Sequence, residues 1–204
     1  MSALTDELAR LGAATVYEAA GREGLVDLEL KQIVPRSRAC GPARIARCGQ
    51  DDNLMVHAVM AALQPGEVLV LTMPEPAPVA LLGDLLATQA QVRGAAAVLV
   101  DASVRDSEEL AEMGLPIWAR WIRSRGATKD IPGELDVPVT VGGAEIRPGD
   151  LVVLDADGVT VVAAERAEEV LAASREREAK EADKRAKLQA GALSYELDGL
   201  NERV

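Results

Sequence analysis

The sequence predicts an α/β fold, a layered sandwich built around a strand–helix–strand unit. Residues 67–73 and 95–102 are apolar, valine- and leucine-rich runs, which is typical of buried parallel strands. A helical pattern at residues 83–94 lies between them, so the two strands are joined by a crossover that should be right-handed. After residue 115 the pattern changes to short β-type runs separated by glycine-containing turns, which indicates antiparallel hairpins.

Composition restricts the possible function classes. The chain has 204 residues, of which 49% are hydrophobic and 27% charged, as expected for one globular domain with its own core. The formal net charge of −11 argues against nucleic-acid binding, which needs a basic face. Aromatic residues make up 2% and phenylalanine is absent, so the core must be built from Ala, Val, Leu and Ile.

The sequence also predicts no membrane association. The uncharged run at residues 53–66 is shorter than the roughly 20 apolar residues that a membrane span needs. The N-terminal residues contain early acids and no basic or long apolar region, so we read no signal peptide there. We therefore expect a cytoplasmic protein in which Cys40 and Cys48 are free thiols, at a spacing that is a poor metal pattern.

The first half should begin with two short amphipathic helices, at residues 4–11 and 14–20. Thr5 and Thr15 are the expected N-caps of these helices. The other predicted elements of this half, besides the strand–helix–strand unit, are a strand at 42–48, a helix at 52–63 that Pro65 and Gly66 end, and a helix at 107–114 with Ser107 as its cap.

The second half should contain four short strands. They are predicted at 116–121, 137–141, 151–155 and 158–163. The sequence Asp-Ala-Asp-Gly at residues 155–158 separates the last two, which is a hairpin signal.

The last predicted helix covers residues 165–189 and differs from the others in composition. Val170 and Leu171 are apolar, but most of the remaining helix is charge and alanine. Three favourable i,i+4 pairs support it, namely Glu176–Lys180, Glu181–Arg185 and Asp183–Lys187. We expect an α/β domain at 1–164 and a helical extension at 165–204 that projects and lies across a neighbouring subunit.

Charged residues follow both strands of the central unit. Asp84 begins the helix after the first strand, and Arg105 and Asp106 come directly after the second. Because the carboxyl ends of parallel strands meet at one edge of a sheet, we expect these three side chains to lie close together.

These residue types suit an oxo-acid site. The first-turn N–H groups of Leu85 and Leu86 could bind a carboxylate, and Arg105 could hold a carboxylate or an enolate. Asp84 and Asp106 offer the hard oxygen ligands that Mg²⁺ or Mn²⁺ prefers. The alternative is structural: Asp84 is then only a helix cap, and Arg105 and Asp106 form a surface pair.

The sequence GDLLATQAQVRGAAAVLVDASVRD, residues 83–106, closely resembles the signature of the RraA-like family. In that signature an Asp is followed, after twenty residues, by Arg-Asp, as Asp84 is by Arg105 and Asp106. Further stretches that resemble family blocks are 15–24, 52–70, 116–130, 148–162 and 184–191. Within the family the likeness is to the class II 4-hydroxy-4-methyl-2-oxoglutarate / 4-carboxy-4-hydroxy-2-oxoadipate aldolases.

The resemblance implies a swivelling β/β/α fold assembled as trimers or hexamers. It implies that Asp106 holds the divalent metal largely through water, with Asp84 beside the water shell. Arg105 would contact the substrate and stabilise its enolate, and the amides of the segment Gly83–Leu86 would bind the pyruvyl carboxylate. Glu181 would reach the site of the adjacent subunit. An ordinary solvated charge is the alternative for Glu181.

The activity implied is retro-aldol cleavage of a small 2-oxo acid to pyruvate, with oxaloacetate decarboxylation through the same enolate. Two departures from the family pattern stand out. The loop at 74–82, PEPAPVALL, is less polar than is usual in the aldolases and would line the mouth of the site. Ser103 replaces a glycine that the family usually has.

Other candidate residues are weaker. His57 is predicted to be a core residue, as are Trp118 and Trp121, which could also lie at an interface. No glycine-rich nucleotide-binding motif is present. The lysines lie in polar stretches, which favours a metal over an imine mechanism; they are Lys31, Lys129, Lys180, Lys184 and Lys187.

Two functions of other classes remain open. One is a protein-binding regulator without catalysis, like the family members that inhibit ribonuclease E. The other is a methyltransferase, which the missing glycine-rich cofactor loop disfavours.

Overall fold

A computed structural model describes residues 2–203. The helices are α1 (Ala3–Leu11), α2 (Ala13–Ala19), α3 (Leu54–Val59), α4 (Asp84–Val92), α5 (Ser107–Met113), α6 (Ala167–Gln189) and α7 (Ser194–Leu197). The strands are β1 (Lys31–Gln32), β2 (Ala39–Arg47), β3 (Val68–Thr72), β4 (Ala80–Leu82), β5 (Ala97–Val104), β6 (Ile117–Ile122), β7 (Glu134–Leu135), β8 (Val139–Val141), β9 (Ala144–Ile146), β10 (Leu151–Asp155) and β11 (Gly158–Val162). Short 3-10 turns cover Ala164–Arg166 and Leu200–Glu202.

The main sheet has the strand order β1-β6-β5-β3-β2-β10-β11. Its four middle strands, β2, β3, β5 and β6, are parallel, and β1, β10 and β11 are antiparallel to their neighbours. β5 is long enough to pair with β3 along its first half and with β4 near its end. β8 and β9 form a separate hairpin.

The sheet separates two buried clusters, because alternate residues of each strand face opposite sides. Val98 and Val100 of β5 face helices α3, α4 and α5, whereas Ala97 and Leu99 face the β8–β9 hairpin and β10–β11. A third cluster lies beyond β10 and β11, where α1, α2 and the first turns of α6 pack. Fully burying each Val or Leu stabilises the fold by about 1.5–3 kcal/mol, so the layers themselves hold the molecule together.

The predicted α/β sandwich and its strand–helix–strand core are confirmed. β3, α4 and β5 follow one another as expected, and the turn between Asp155 and Gly158 joins β10 to β11. Five short elements were not predicted: the strands β1, β4, β7 and β9 and the helix α7. β4 follows a proline-rich segment, which does not show a strand pattern. The predicted helix at 52–63 is shorter in the structure, because residues 52 and 53 lie before α3 and residues 60–62 form a turn after it.

All three predicted helix caps are wrong. Ser2 caps α1 and exchanges hydrogen bonds with Thr5, which is the third residue of that helix. α2 begins after Gly12, and a carboxylate from the β10–β11 turn, that of Asp155, accepts the N–H of Ala13 at 2.9 Å. Asp106, not Ser107, precedes α5.

α6 has two different parts. Ala167, Val170, Leu171 and Ser174 are buried, but no described residue of the helix beyond Ser174 is. Two of the three predicted ion pairs are present, Glu176–Lys180 at 4.0 Å and Asp183–Lys187 at 2.7 Å. The third was wrong, because Glu181 pairs with Arg177 at 3.0 Å instead of with Arg185. Contact with a neighbouring subunit stays a prediction.

Two further sequence predictions concern the cysteines and membrane spans. Among the described residues Cys40 and Cys48 are free, as predicted, and both are buried. Burial raises the pKa of each thiol to about 12. Within residues 2–203 no helix combines the length and apolar character that crossing a membrane requires.

Candidate active site

The start of α4 and the end of β5 meet at the carboxyl edge of the sheet. The N–H of Asp84 donates to Oδ2 of Asp106 at 3.2 Å, and Nε of Arg105 lies 3.5 Å from the same oxygen. Gly83 permits this approach, because a Cβ there would lie only 2.5 Å from Asp106 Oδ2. The structure therefore brings Asp84, Arg105 and Asp106 together as expected; their roles stay predictions.

A cleft of about 150 Å³ opens beside this edge. Its walls come from α3, β4, the beginning of α4, the residue after β5 and the loop after β6. The lining residues are Asn53, His57, Ala80, Gly83, Asp84, Leu85, Leu86, Arg105, Ala127 and Lys129.

The cleft is suited to an anion. α4 is nine residues long, and the first-turn amides of a helix have no intrahelical acceptor and lie at its positive end. Arg105, with about half of its side chain exposed, and Lys129 add two cationic groups. A carboxylate in the cleft could thus accept N–H bonds from Leu85 and Leu86 while facing positive charge.

Asn53 adds a polar group that the sequence analysis missed. The residue is 8% exposed, and its Nδ2 donates to the carbonyl of Leu81 at 3.2 Å. Its Oδ1 is buried and has no hydrogen-bond partner among the described residues. Because leaving a buried acceptor unpaired costs about 1–3 kcal/mol, this oxygen is a candidate for binding a ligand or a water.

Two more lining residues were misjudged. His57 was expected in the core, and this was wrong: its side chain is exposed on α3 and lines the cleft, because the buried face of the short helix carries Val56 and Val59. Lys129 also lines the cleft, whereas the sequence analysis noted only that it lies in a polar stretch. No local signal marks it, since the loop after β6 brings it to the cleft.

The two tryptophans differ. Trp118 is buried in the core, as predicted, and its Nε1 donates to the carbonyl of Asp155 at 2.9 Å. Trp121 is only partly buried and lies under the guanidinium of Arg120, 5.5 Å from the ring centre.

The carboxylates fit a hydrated divalent cation. Within residues 2–203 no group of three or more His, Cys, Asp or Glu side chains could hold a metal. Mg²⁺, however, keeps several waters and is often held by one or two carboxylates together with the substrate. Asp84 and Asp106 at the edge of the cleft supply that donor set.

Glu181 is not part of this cleft within one chain. It lies on α6, where it lines a different groove with Glu18 and Ala19 of α2 and pairs with Arg177. A role at the cleft would therefore need a second copy of the chain.

Comparison with known proteins identifies the family. The family model described as "RraA-like: Aldolase/RraA" matches residues 4–161, which include every residue of the cleft. The chain belongs to the RraA-like family. A curated relative from Halalkalibacterium halodurans is 35% identical over 159 residues, 77% of this chain and 76% of the relative. It carries a provisional name, 4-hydroxy-4-methyl-2-oxoglutarate aldolase.

Solved structures of RraA-like proteins share the fold. Streptomyces coelicolor RraAS2, described as an unusual member of the RNase ES inhibitor RraA family, is 31% identical with a TM-score of 0.80. The similarity covers 91% of this chain and 96% of RraAS2. A Geobacillus kaustophilus protein described as an S-adenosylmethionine:2-dimethylmenaquinone methyltransferase is 32% identical with a TM-score of 0.68. The similarity covers 74% of this chain and 93% of the Geobacillus protein.

Proposed function

We propose that this RraA-like protein is a divalent-metal-dependent pyruvate aldolase. It would cleave 4-hydroxy-4-methyl-2-oxoglutarate-type 2-oxo acids to pyruvate and also decarboxylate oxaloacetate. The observation that carries the proposal is the cleft itself, which joins free helix amides, Arg105 and two carboxylates at one sheet edge. The provisional name of the Halalkalibacterium relative agrees with it.

The helix amides, the arginine and the two carboxylates each have a role in this reaction. The amides of Leu85 and Leu86 bind the substrate carboxylate at the positive end of α4. Arg105 stabilises the negative charge that develops on the enolate oxygen. Asp106, with Asp84 beside it, would hold Mg²⁺ or Mn²⁺ largely through water, and the cation when bound would polarise the 2-oxo carbonyl.

The proton balance of the cleavage requires a base. The C4 hydroxyl loses its proton, the C3–C4 bond breaks, and its electron pair forms the enolate of pyruvate, which is then protonated at C3. We assign the first proton transfer to a carboxylate, Glu181 from a neighbouring copy, in a homotrimer or homohexamer. The part of α6 after Ser174 supports this assignment, because none of its described residues is buried and its surface can contact another subunit.

The test is pyruvate release from 4-hydroxy-4-methyl-2-oxoglutarate and from oxaloacetate. With Mg²⁺ or Mn²⁺ both substrates should give pyruvate, and excess chelator should stop the release, because the carbonyl is no longer polarised. Adding metal back should restore it. Release that persists in chelator would contradict the metal-dependent mechanism.

A second candidate is a protein-binding regulator of ribonuclease activity, favoured by the similarity to RraAS2. If the chain inhibits a ribonuclease E-type enzyme and releases no pyruvate from either acid, this alternative replaces the aldolase.

A methyltransferase role, suggested by the name of the Geobacillus protein, predicts S-adenosylmethionine binding. Calorimetry that detects no binding of S-adenosylmethionine would remove it. We place the protein in the cytoplasm in either role.

A further inference from the structure

We propose that Asp52 is a positioning residue of the cleft, which fixes the loop at residues 126–131 and so sets the place of Lys129 for an anionic substrate. The inference rests on the proposed function. It starts from a buried carboxylate that does not line the cleft and that the mechanism above does not use.

Asp52 is fully buried, and both of its carboxylate oxygens accept hydrogen bonds. Oδ1 accepts the N–H of Leu54 at 2.8 Å, at the beginning of α3. Oδ2 accepts three bonds from one loop: from Oγ1 of Thr128 at 2.6 Å, from N–H of Asp130 at 2.6 Å and from N–H of Ile131 at 3.0 Å. The carboxylate thus ties the loop to the start of α3.

Lys129 lies between two of these contacts. Thr128 precedes it and Asp130 follows it, and both donate to the same oxygen of Asp52. The loop is otherwise mostly exposed, so little apolar packing holds it. Main-chain bonds add to the attachment: the N–H of Asn53 donates to the carbonyl of Thr128 at 2.9 Å. Asp52 therefore holds the loop on both sides of Lys129, through the side chain of Thr128 before it and through the backbone of Asp130 and Ile131 after it.

A neutral amide cannot replace this carboxylate. Oδ2 receives only donors, so an asparagine would either lose bonds or turn its own NH₂ towards N–H groups. Burial raises the pKa of Asp52, but the hydrogen bonds from Thr128, Leu54, Asp130 and Ile131 outweigh it, and the pKa falls to about 2. The group is therefore ionised, and holds the loop, at any pH where the protein would be assayed.

The test compares Asp52→Asn with Asp155→Asn. Asp155 is a matched control because it is also buried and accepts backbone N–H groups, those of Ala13 and Asp157, but lies outside the cleft. Two quantities are measured: amide hydrogen exchange of residues 126–131, and KM and kcat for pyruvate release. The exchange measurement does not depend on the reaction.

For Asp52→Asn we expect faster exchange in the loop and a rise in KM of about tenfold, with kcat changed much less, because Lys129 contributes to binding. Asp155→Asn should leave both unchanged. In a Lys129→Ala background, Asp52→Asn should raise KM little further, because its effect acts through Lys129. Thr128→Val removes the hydrogen bond from Oγ1 of Thr128 to Asp52, and it should raise loop exchange and KM by a smaller amount. This variant tests the inference even if Asp52→Asn does not fold.

Unchanged loop exchange and KM in folded Asp52→Asn or Thr128→Val would overturn the inference. The inference would also be overturned if Asp52→Asn raised KM by the same factor in the Lys129→Ala background as in the unaltered protein, because its effect would then not act through Lys129. If the unaltered protein releases no pyruvate, the proposed function fails, and loop exchange alone then decides whether Asp52 positions the loop.

Discussion

Proposed site residues lie in two regions of the molecule, which are organised differently. One is the segment from Gly83 to Asp106, and the other is the C-terminal helix α6. In the first, Asp84, Arg105 and Asp106 converge within one chain through hydrogen bonds and a shared sheet edge. In α6, buried side chains anchor the helix up to Ser174; beyond it, surface ion pairs join Arg175 and Glu178 to α1, and Glu181 pairs with Arg177 of the same helix. The comparison teaches that the proposed substrate-binding groups all lie within one chain, whereas the proposed base depends on assembly.

The largest effect should come from the self-contained segment. Arg105→Ala removes the cation that faces the developing enolate, and we expect kcat/KM to fall about a thousandfold. Arg123→Ala is the matched control, because its exposed side chain donates, among residues 2–203, only to the carbonyl of Ile122. Steady-state pyruvate release checks both, and comparable losses in the two variants would show that position 105 has no special role.

The anchored part of α6 should matter for stability. Leu171→Ala leaves a cavity against α1 and α2, so we expect the free energy of unfolding to fall by about 2–5 kcal/mol. Glu176→Ala, in the exposed part, should change it by less than about 0.5 kcal/mol. Denaturant unfolding measures both. A similar loss from Glu176→Ala would remove the distinction between the two parts of the helix.

The exposed part of α6 should matter for catalysis alone. Glu181→Gln removes the proposed base, and we expect kcat to fall about a hundredfold with unfolding unchanged. Asp183→Asn, an exposed change one half-turn away, is the control. Mixing Glu181→Gln with Arg105→Ala protein should restore part of the activity if the two residues act from different subunits. A wild-type kcat in Glu181→Gln would place the base elsewhere.

The strand–helix–strand core could be predicted because its signals are local. Gly66, Pro74 and Gly94 delimit apolar runs, and parallel pairing then brings the residues after β3 and β5 to one edge. That Asp84, Arg105 and Asp106 lie close together followed from the same argument, without any knowledge of packing.

The rest of the cleft depends on contacts that are distant in sequence. Lys129 reaches it through a loop that donates hydrogen bonds to Asp52, and His57 faces it because Val56 and Val59 form the buried face of α3. The caps of α1 and α5 were misplaced only locally, since Ser2 and Asp106 stand close to the residues predicted. The cap of α2 failed because of a distant contact: the N–H of Ala13 is satisfied by Asp155, a residue more than a hundred positions away. No periodicity of the local sequence contains such information.

Asp106 joins two helices at a single residue. Its carboxylate accepts the first N–H of α4, and its backbone, in the left-handed region at φ 57° and ψ 45°, leads directly into α5. Its carbonyl also accepts the N–H of Leu110 at 2.9 Å. A wall of the cleft linked in this way should move as one rigid body. Widening the cleft during a catalytic cycle would then require either that this whole wall moves as a unit or that the loop at residues 126–131 breaks its hydrogen bonds to Asp52.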